Sequence, residues 1–123
     1  MPFVSDTIYD VALQYIIDNA DVLNLCSTVP TTYTEAITTY KLADIAVTAP
    51  DFAISNGDVS GRKVRVAAQT GIVVDVEGTP VVAALTDSGN TELLIHSPCT
   101  SDLLHVGNLV NTNAFDIEIL DAA

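Results

Sequence analysis

The side chains best suited to acid–base chemistry in this 123-residue chain are two histidines, His96 and His105, and sixteen carboxylates. A nucleophile needs a base, and the base needs a group that orients it. Both histidines fall in or beside strand-like runs, and no G-x-S-x-G elbow accompanies the serines. His96 and Cys99 have the spacing of one metal half-site, but a second pair is missing, and structural zinc takes four ligands. Asp75 with Glu77, and Asp116 with Glu118, alternate along strands, a pattern that a solvent-facing edge explains. A glycosidase would set its carboxylates in a cleft with aromatic stacking surface. This chain has no tryptophan, four tyrosines and three phenylalanines, which hardly supply one. Asp51, Asn56 and Asp58 match no calcium-loop spacing. Gly57 and Gly61, ahead of Arg62 and Lys63, lack the strand-to-helix context of a phosphate cradle. The sequence therefore predicts no catalytic residue, no metal site and no cofactor.

Composition points to contacts with protein instead. Charged residues make up 16% of the chain, against about 25% in ordinary soluble domains. The surface must then be built largely from Thr, Ser, Asn and small apolar side chains. Four basic against sixteen acidic residues give a formal net charge of −12, a field that repels nucleic-acid phosphates and anionic headgroups. Nucleic acid and membrane are both disfavoured as partners. Secretion by a cleaved signal is not expected, since no basic region followed by an apolar stretch stands at the start, and the apolar runs fall far short of the ~20 residues that cross a bilayer. Cys26 and Cys99 are expected to be free thiols, as an intracellular assembly pathway favours.

The elements that carry these residues read as one domain over 1–123, with a helix at 5–20 and a β-rich body at 22–123. Ser5 or Asp6 can cap the helix, and Asn19 can end it in the left-handed conformation. Ile8, Val11, Ala12, Tyr15, Ile16 and Asn19 follow one helical face, which Leu13 and Ile17 widen. Thr28 to Tyr40 reads as an ordered loop with one helical turn at Glu35 to Thr38. Strand-like runs follow at Thr39 to Val47, within the turn-rich stretch Ala49 to Gly61, at Leu103 to Val106 and at Leu109 to Ile119.

Two hairpins are expected between these runs. Lys63 to Ala68 and Ile72 to Glu77 alternate around Gln69-Thr70-Gly71, with glycine at the left-handed loop position. That register sets Val64 against Val76 and Val66 against Val74 on the buried face, with Lys63 meeting Glu77 and Arg65 meeting Asp75 outside. Pro80 to Thr86 and Thr91 to His96 flank the turn-forming Asp87-Ser88-Gly89-Asn90. Val82, Ala84, Leu93 and Ile95 line one face of this second hairpin, and Val81, Ala83, Leu85 and Leu94 the other. Strands apolar on both faces are central in a sheet or covered by a partner. The expected fold is mostly β, an antiparallel sandwich or small barrel with one N-terminal helix.

Several segments resemble a family of small tailed-phage virion proteins encoded among head genes. They are Tyr15-Ile16-Ile17, Leu25-Cys26-Ser27, Pro30 to Ala36, Ser60 to Val64, Gly78, Ala84 to Asp87, Leu93-Leu94, Gly107-Asn108 and Phe115 to Ile117. Together they span most of the chain, each short in itself, and Val82-Ala83 departs from the more polar or aromatic residue of such relatives. The resemblance implies a capsid decoration or cement protein, made in the host cytoplasm and bound on the capsid surface of the virion. Its partner would be the major capsid protein, and capsid symmetry favours a homo-oligomer, a trimer first. A neck or tail adaptor or fibre-attachment protein is the alternative, and a carbohydrate-binding module a weaker third. The residues expected at the protein interface are Ile8, Tyr15, Ile16, Ile17, Tyr33, Tyr40, Arg62 and Leu94.

Overall fold

The N-terminal helix forms where the sequence places it, but it buries a different face. In the computed structural model, which describes residues 4–58 and 60–119, α1 spans Asp6–Asn19. Tyr9, Leu13, Ile16 and Ala20 are buried, a stripe at spacings of four, three and four. Ile8 and Val11 face outward, at 61% and 67% exposure. Ser5 caps through its carbonyl, which accepts from the Ile8 and Tyr9 amides, and not through its hydroxyl. Asn19 does not take the left-handed conformation. It stays helical and its Nδ2 donates to the Tyr15 carbonyl at 2.8 Å, while Ala20 continues into an extended backbone at φ −68°.

Nine strands follow among the described residues: β1 Val22–Cys26, β2 Lys41–Ala46, β3 Phe52–Asn56, β4 Arg62–Val66, β5 Gln69–Val73, β6 Val82–Asp87, β7 Glu92–Pro98, β8 Leu109–Thr112 and β9 Phe115–Ile119. They form a four-stranded sheet β2-β1-β6-β7, a three-stranded sheet β3-β4-β9 and a ribbon β5-β8, and every pairing is antiparallel. The mostly-β antiparallel fold with one N-terminal helix is the expected one, and the sheets do not close into a barrel. Leu23, Leu25, Ala83 and Leu85 of the larger sheet meet Val64 and Val66 of the smaller across a single core, which α1 completes with Leu13, Ile16 and Ala20. The reverse face of the larger sheet, with Cys26, Val82 and Ala84, is covered around Ala36 of the turn Glu35–Thr39. Every residue of β6 is buried, as a strand apolar on both faces requires at the centre of a covered sheet. Beside it Asn24 is fully buried in β1. Its Nδ2 donates to Thr86 Oγ1 at 3.0 Å, and its Oδ1 has no hydrogen-bond partner.

The first expected hairpin does not form. β4 pairs with β3 on one side and β9 on the other, so Val64 lies opposite Ile117 and Val66 opposite Phe115. Lys63 binds Asp58 and Asp116, and Arg65 binds Asp116; neither meets Glu77 or Asp75. β5 pairs instead with β8, and Gly71, at φ +71°, sits where that register shifts. Its left-handed backbone supplies a bulge inside a strand rather than a hairpin loop. Val74 is buried as expected, but Val76 is half exposed.

The second hairpin forms as β6-β7, with a register shift at Leu85/Thr86. That shift places Ile95 opposite Leu85, on the core side, and leaves Leu93 with Val82 and Ala84. Asp87 holds the turn: its Oδ1 accepts from the Gly89 amide at 3.0 Å and its Oδ2 from Asn90 Nδ2 at 2.6 Å. Thr91 closes the turn at φ +50°, which a β-branched residue adopts only with strain. Thr91→Gly is therefore expected to raise stability by roughly 0.5–1 kcal/mol, after the entropy that glycine adds to the unfolded chain. A lower melting temperature for that variant would contradict the left-handed turn. The expected strand at Leu103 to Val106 is reduced to one bridge between Leu104 and Gly78.

Candidate protein interface

The four cations, which on this acidic chain would be the natural handles for an anionic partner, are all turned to internal use. Arg62 Nε donates to Asp10 Oδ1 of α1 at 2.8 Å, and its Nη1 donates to Asn56 Oδ1 at 2.7 Å. Lys41 pairs with Asp44 and Asp75, Lys63 with Asp58 and Asp116, and Arg65 with Asp116. What they leave outside is carboxylate.

Asp116 is the hub of the ion-pair group. The Arg65 guanidinium grips both its oxygens, at 2.9 and 3.3 Å, and Lys63 reaches it at 3.2 Å. Arg65 first, then Lys63, holds its carboxyl below the usual range against the effect of burial. A carboxyl whose folded pKa is depressed stabilises the fold above its unfolded pKa, and that contribution is lost as pH falls through the folded value. Asp116→Asn is therefore expected to cost roughly 1–2 kcal/mol at neutral pH and to flatten the loss of stability below about pH 4. Urea titrations from pH 2 to 7 check both. Equal slopes for the two proteins in acid would remove Asp116 from that role.

The expected interface residues separate into two groups. Tyr15, Ile16 and Leu94 line one apolar groove of about 310 Å³ between α1, β7 and β9, with Ala12, Ile95 and Ile117 among their neighbours. Arg62 lies against the same helix through Asp10, and its backbone faces Ile119 of β9. Ile8 stands outside on the helix. Ile17 is half-buried against the core, and Ile16, at 8% exposure, belongs to the core while also lining the floor of the groove. Tyr33 and Tyr40 lie in the Thr28 to Tyr40 loop, and Tyr40 packs on the reverse face of the larger sheet. That loop is only partly open: Pro30 and Ala36 are buried within it. Its form is set by Glu35, whose Oε1 accepts from the Thr31 amide and hydroxyl, both at 2.8 Å.

Sequence periodicity missed the groove's other walls, Glu92 and the β9 side chains Ile117 and Ile119. Their strand alternation was legible, but their neighbours were not. Glu92 ties β7 to the helix: the Tyr15 hydroxyl donates to its Oε1 at 2.8 Å. That bond, the Glu92 charge and the nearby Asp87 raise the phenol's pKa, the response of a group in a negative field.

A second cavity of about 250 Å³ lies at the other end of β7, between Ser97 to Thr100 and the run from Val110 of β8 to Phe115, the first residue of β9. Cys99 lines it. Cys26 lies on the opposite side of the larger sheet, and both thiols are free. Burial, with a smaller contribution from Cys99, pushes the Cys26 thiol up to about 11, so it is neutral and unreactive at neutral pH. His105 Nδ1 lies 2.8 Å from Glu77 on the surface, and among the described residues no three His, Cys, Asp or Glu side chains gather to hold a metal ion.

Fold and surface thus define an acidic, mostly-β, sandwich-like antiparallel fold with openings near the two ends of β7. The chain matches no protein-family model, no curated protein and no solved structure.

Proposed function

We propose that this chain is a non-catalytic structural subunit that binds the outside of an assembled protein shell, in the manner of a phage capsid decoration protein. One observation carries the reading. Ile8, Val11 and Tyr15 of α1 are exposed apolar side chains, and Tyr15 lines an open apolar groove, on a surface whose described cations are all engaged at home. Apolar surface of this kind, rimmed by polar groups, is the mark of a protein-binding face. Its acidity works against phosphate-rich partners. The resemblance of the sequence segments to tailed-phage virion proteins supplies the setting, with the major capsid protein as partner and a homo-oligomer, a trimer first, as the bound form.

The mechanism is mass action. A subunit that binds only the assembled shell stabilises it by RT ln(1 + [L]/Kd), about 2.7 kcal/mol per site at a hundredfold excess over Kd. Copy number in purified particles, by quantitative mass spectrometry against the major capsid protein, tests the reading. A ratio near one copy per capsid subunit, or a simple fraction of it, supports decoration. Tens of copies or fewer would move the chain to the neck or tail, and absence from particles would sink both.

A further inference from the structure

The groove and the second cavity lie toward opposite ends of β7, the groove walled also by Ala12, Leu13, Tyr15 and Ile16 of α1 and the cavity also by β8 and the turn that follows it. At one end the first half of β7, from Glu92 to Ile95, faces Ile117 and Ile119 of β9; at the other, Ser97 to Thr100 faces Ala114 and Phe115. The two strands run in opposite directions along a common seam. Among the described residues β7 pairs only with β6, and β9 only with β4, so both present unpaired backbone groups to the gap. The core reaches this seam through Leu94, Ile95, Phe115, Ile117 and Ile119, all partly buried. Neither strand carries a lysine, the commonest device for protecting an open edge. The two sheets, β2-β1-β6-β7 and β3-β4-β9, thus each end in an edge strand, β7 in one and β9 in the other.

We infer that this seam is a strand-acceptor slot, filled in the assembly by an extended, lysine- or arginine-bearing segment of a partner protein. The five regular pairs that β9 makes with β4 run without a bulge, whereas β7 is irregular beside Leu94. The incoming strand therefore hydrogen-bonds to β9 and places alternate side chains in the two cavities, over a length of about 16 Å. Charge selects the partner. Glu92 lines the slot, and no lysine or arginine lines either cavity. A second copy of this chain would bring another net −12, and its most basic strand, β4, is already paired on both edges. The inference rests on the assembly reading for the source of the strand.

Synthetic peptides test it without any particle. The probe is a nine-residue peptide alternating valine and threonine with a lysine at each end; its twin carries glutamates there. Isothermal titration is expected to show 1:1 binding of the lysine peptide, at least tenfold weaker binding of the twin, and a loss of about tenfold between 0.05 and 0.5 M salt. Glu92→Lys, an exposed change that leaves the core intact, is expected to weaken the lysine peptide at least fivefold. Amide exchange should slow along β9 on binding. No binding by either peptide, equal binding of both, or concentration-dependent self-association that Glu92→Lys strengthens would overturn the slot. Peptide binding by a chain that is absent from particles would sink the assembly reading alone, and particle binding without peptide binding would sink the slot alone.

Discussion

Val74→Asp is expected to leave the chain unfolded, whereas Val76→Asp, two residues on, is expected to leave it folded. Val74 is 1% exposed and joins three parts of the molecule: it bridges to Ala43 of β2, its amide donates to the Asn108 carbonyl at 3.0 Å, and its carbonyl accepts from the Gly107 amide at 2.9 Å. A carboxylate there forfeits the roughly 1.5–3 kcal/mol of a buried valine and adds the cost of an unpaired buried charge. The sum, on the order of 5 kcal/mol or more, matches or exceeds the whole stability of many small domains. Val76 is half exposed and would place its carboxylate in water. Far-UV circular dichroism and urea titration distinguish the two. The hairpin suggested by sequence alternation buries both valines on one face, so equal damage from the two substitutions would favour that register over β4-β9 pairing.

That hairpin shows where the sequence is ambiguous. Alternation in Lys63 to Val66 specifies which side chains face inward, and Val64, Val66 and Val74 are buried as it requires. It does not specify the partner, because two later segments offer the same alternating acids: Asp75 with Glu77, and Asp116 with Glu118. The nearer segment closes a shorter loop, and loop entropy favours it, but only by about 0.6 kcal/mol for each doubling of length. The farther one offers Phe115, Ile117 and Ile119 to the core, a larger apolar return. Asp116 then pairs with both Lys63 and Arg65, with Asp58 also on Lys63, and Asp75 and Glu77 turn to Lys41 and His105. By contrast, β6 and β7 were legible because the turn at Asp87 to Asn90 is specified by its own side chains.

The seam between β7 and β9 was illegible for a related reason. Its walls come from strands that read correctly one at a time, and the opening exists because those two edges do not pair. Leu94 and Tyr15 carried part of the signal, each on a periodic apolar face of its own element, but nothing in either pattern set the two beside one another. Glu92 carried none, since an acid ending a turn is ordinary until the Tyr15 hydroxyl is found on it.

The helix poses the same problem at a scale where one measurement decides it. Ile8, Val11 and Tyr15 make as regular a stripe as Tyr9, Leu13 and Ile16, and hydrophobicity alone does not rank them. Packing does, because the second stripe meets β3 and β4 while Asp10, between the two, is drawn to Arg62. Leu13→Ala is therefore expected to cost about 2–5 kcal/mol, the transfer term plus the cavity left at a site that is 1% exposed. The double change Ile8→Ser with Val11→Ser is expected to stay within about 1 kcal/mol of the parent in urea, since surface substitutions rarely exceed about 0.5 kcal/mol each. Under the proposed function the same double variant should lose binding to the shell while keeping its fold. If the serine pair unfolds the isolated chain and Leu13→Ala does not, the helix is seated the other way round, and the contact face must be sought on Leu13 instead.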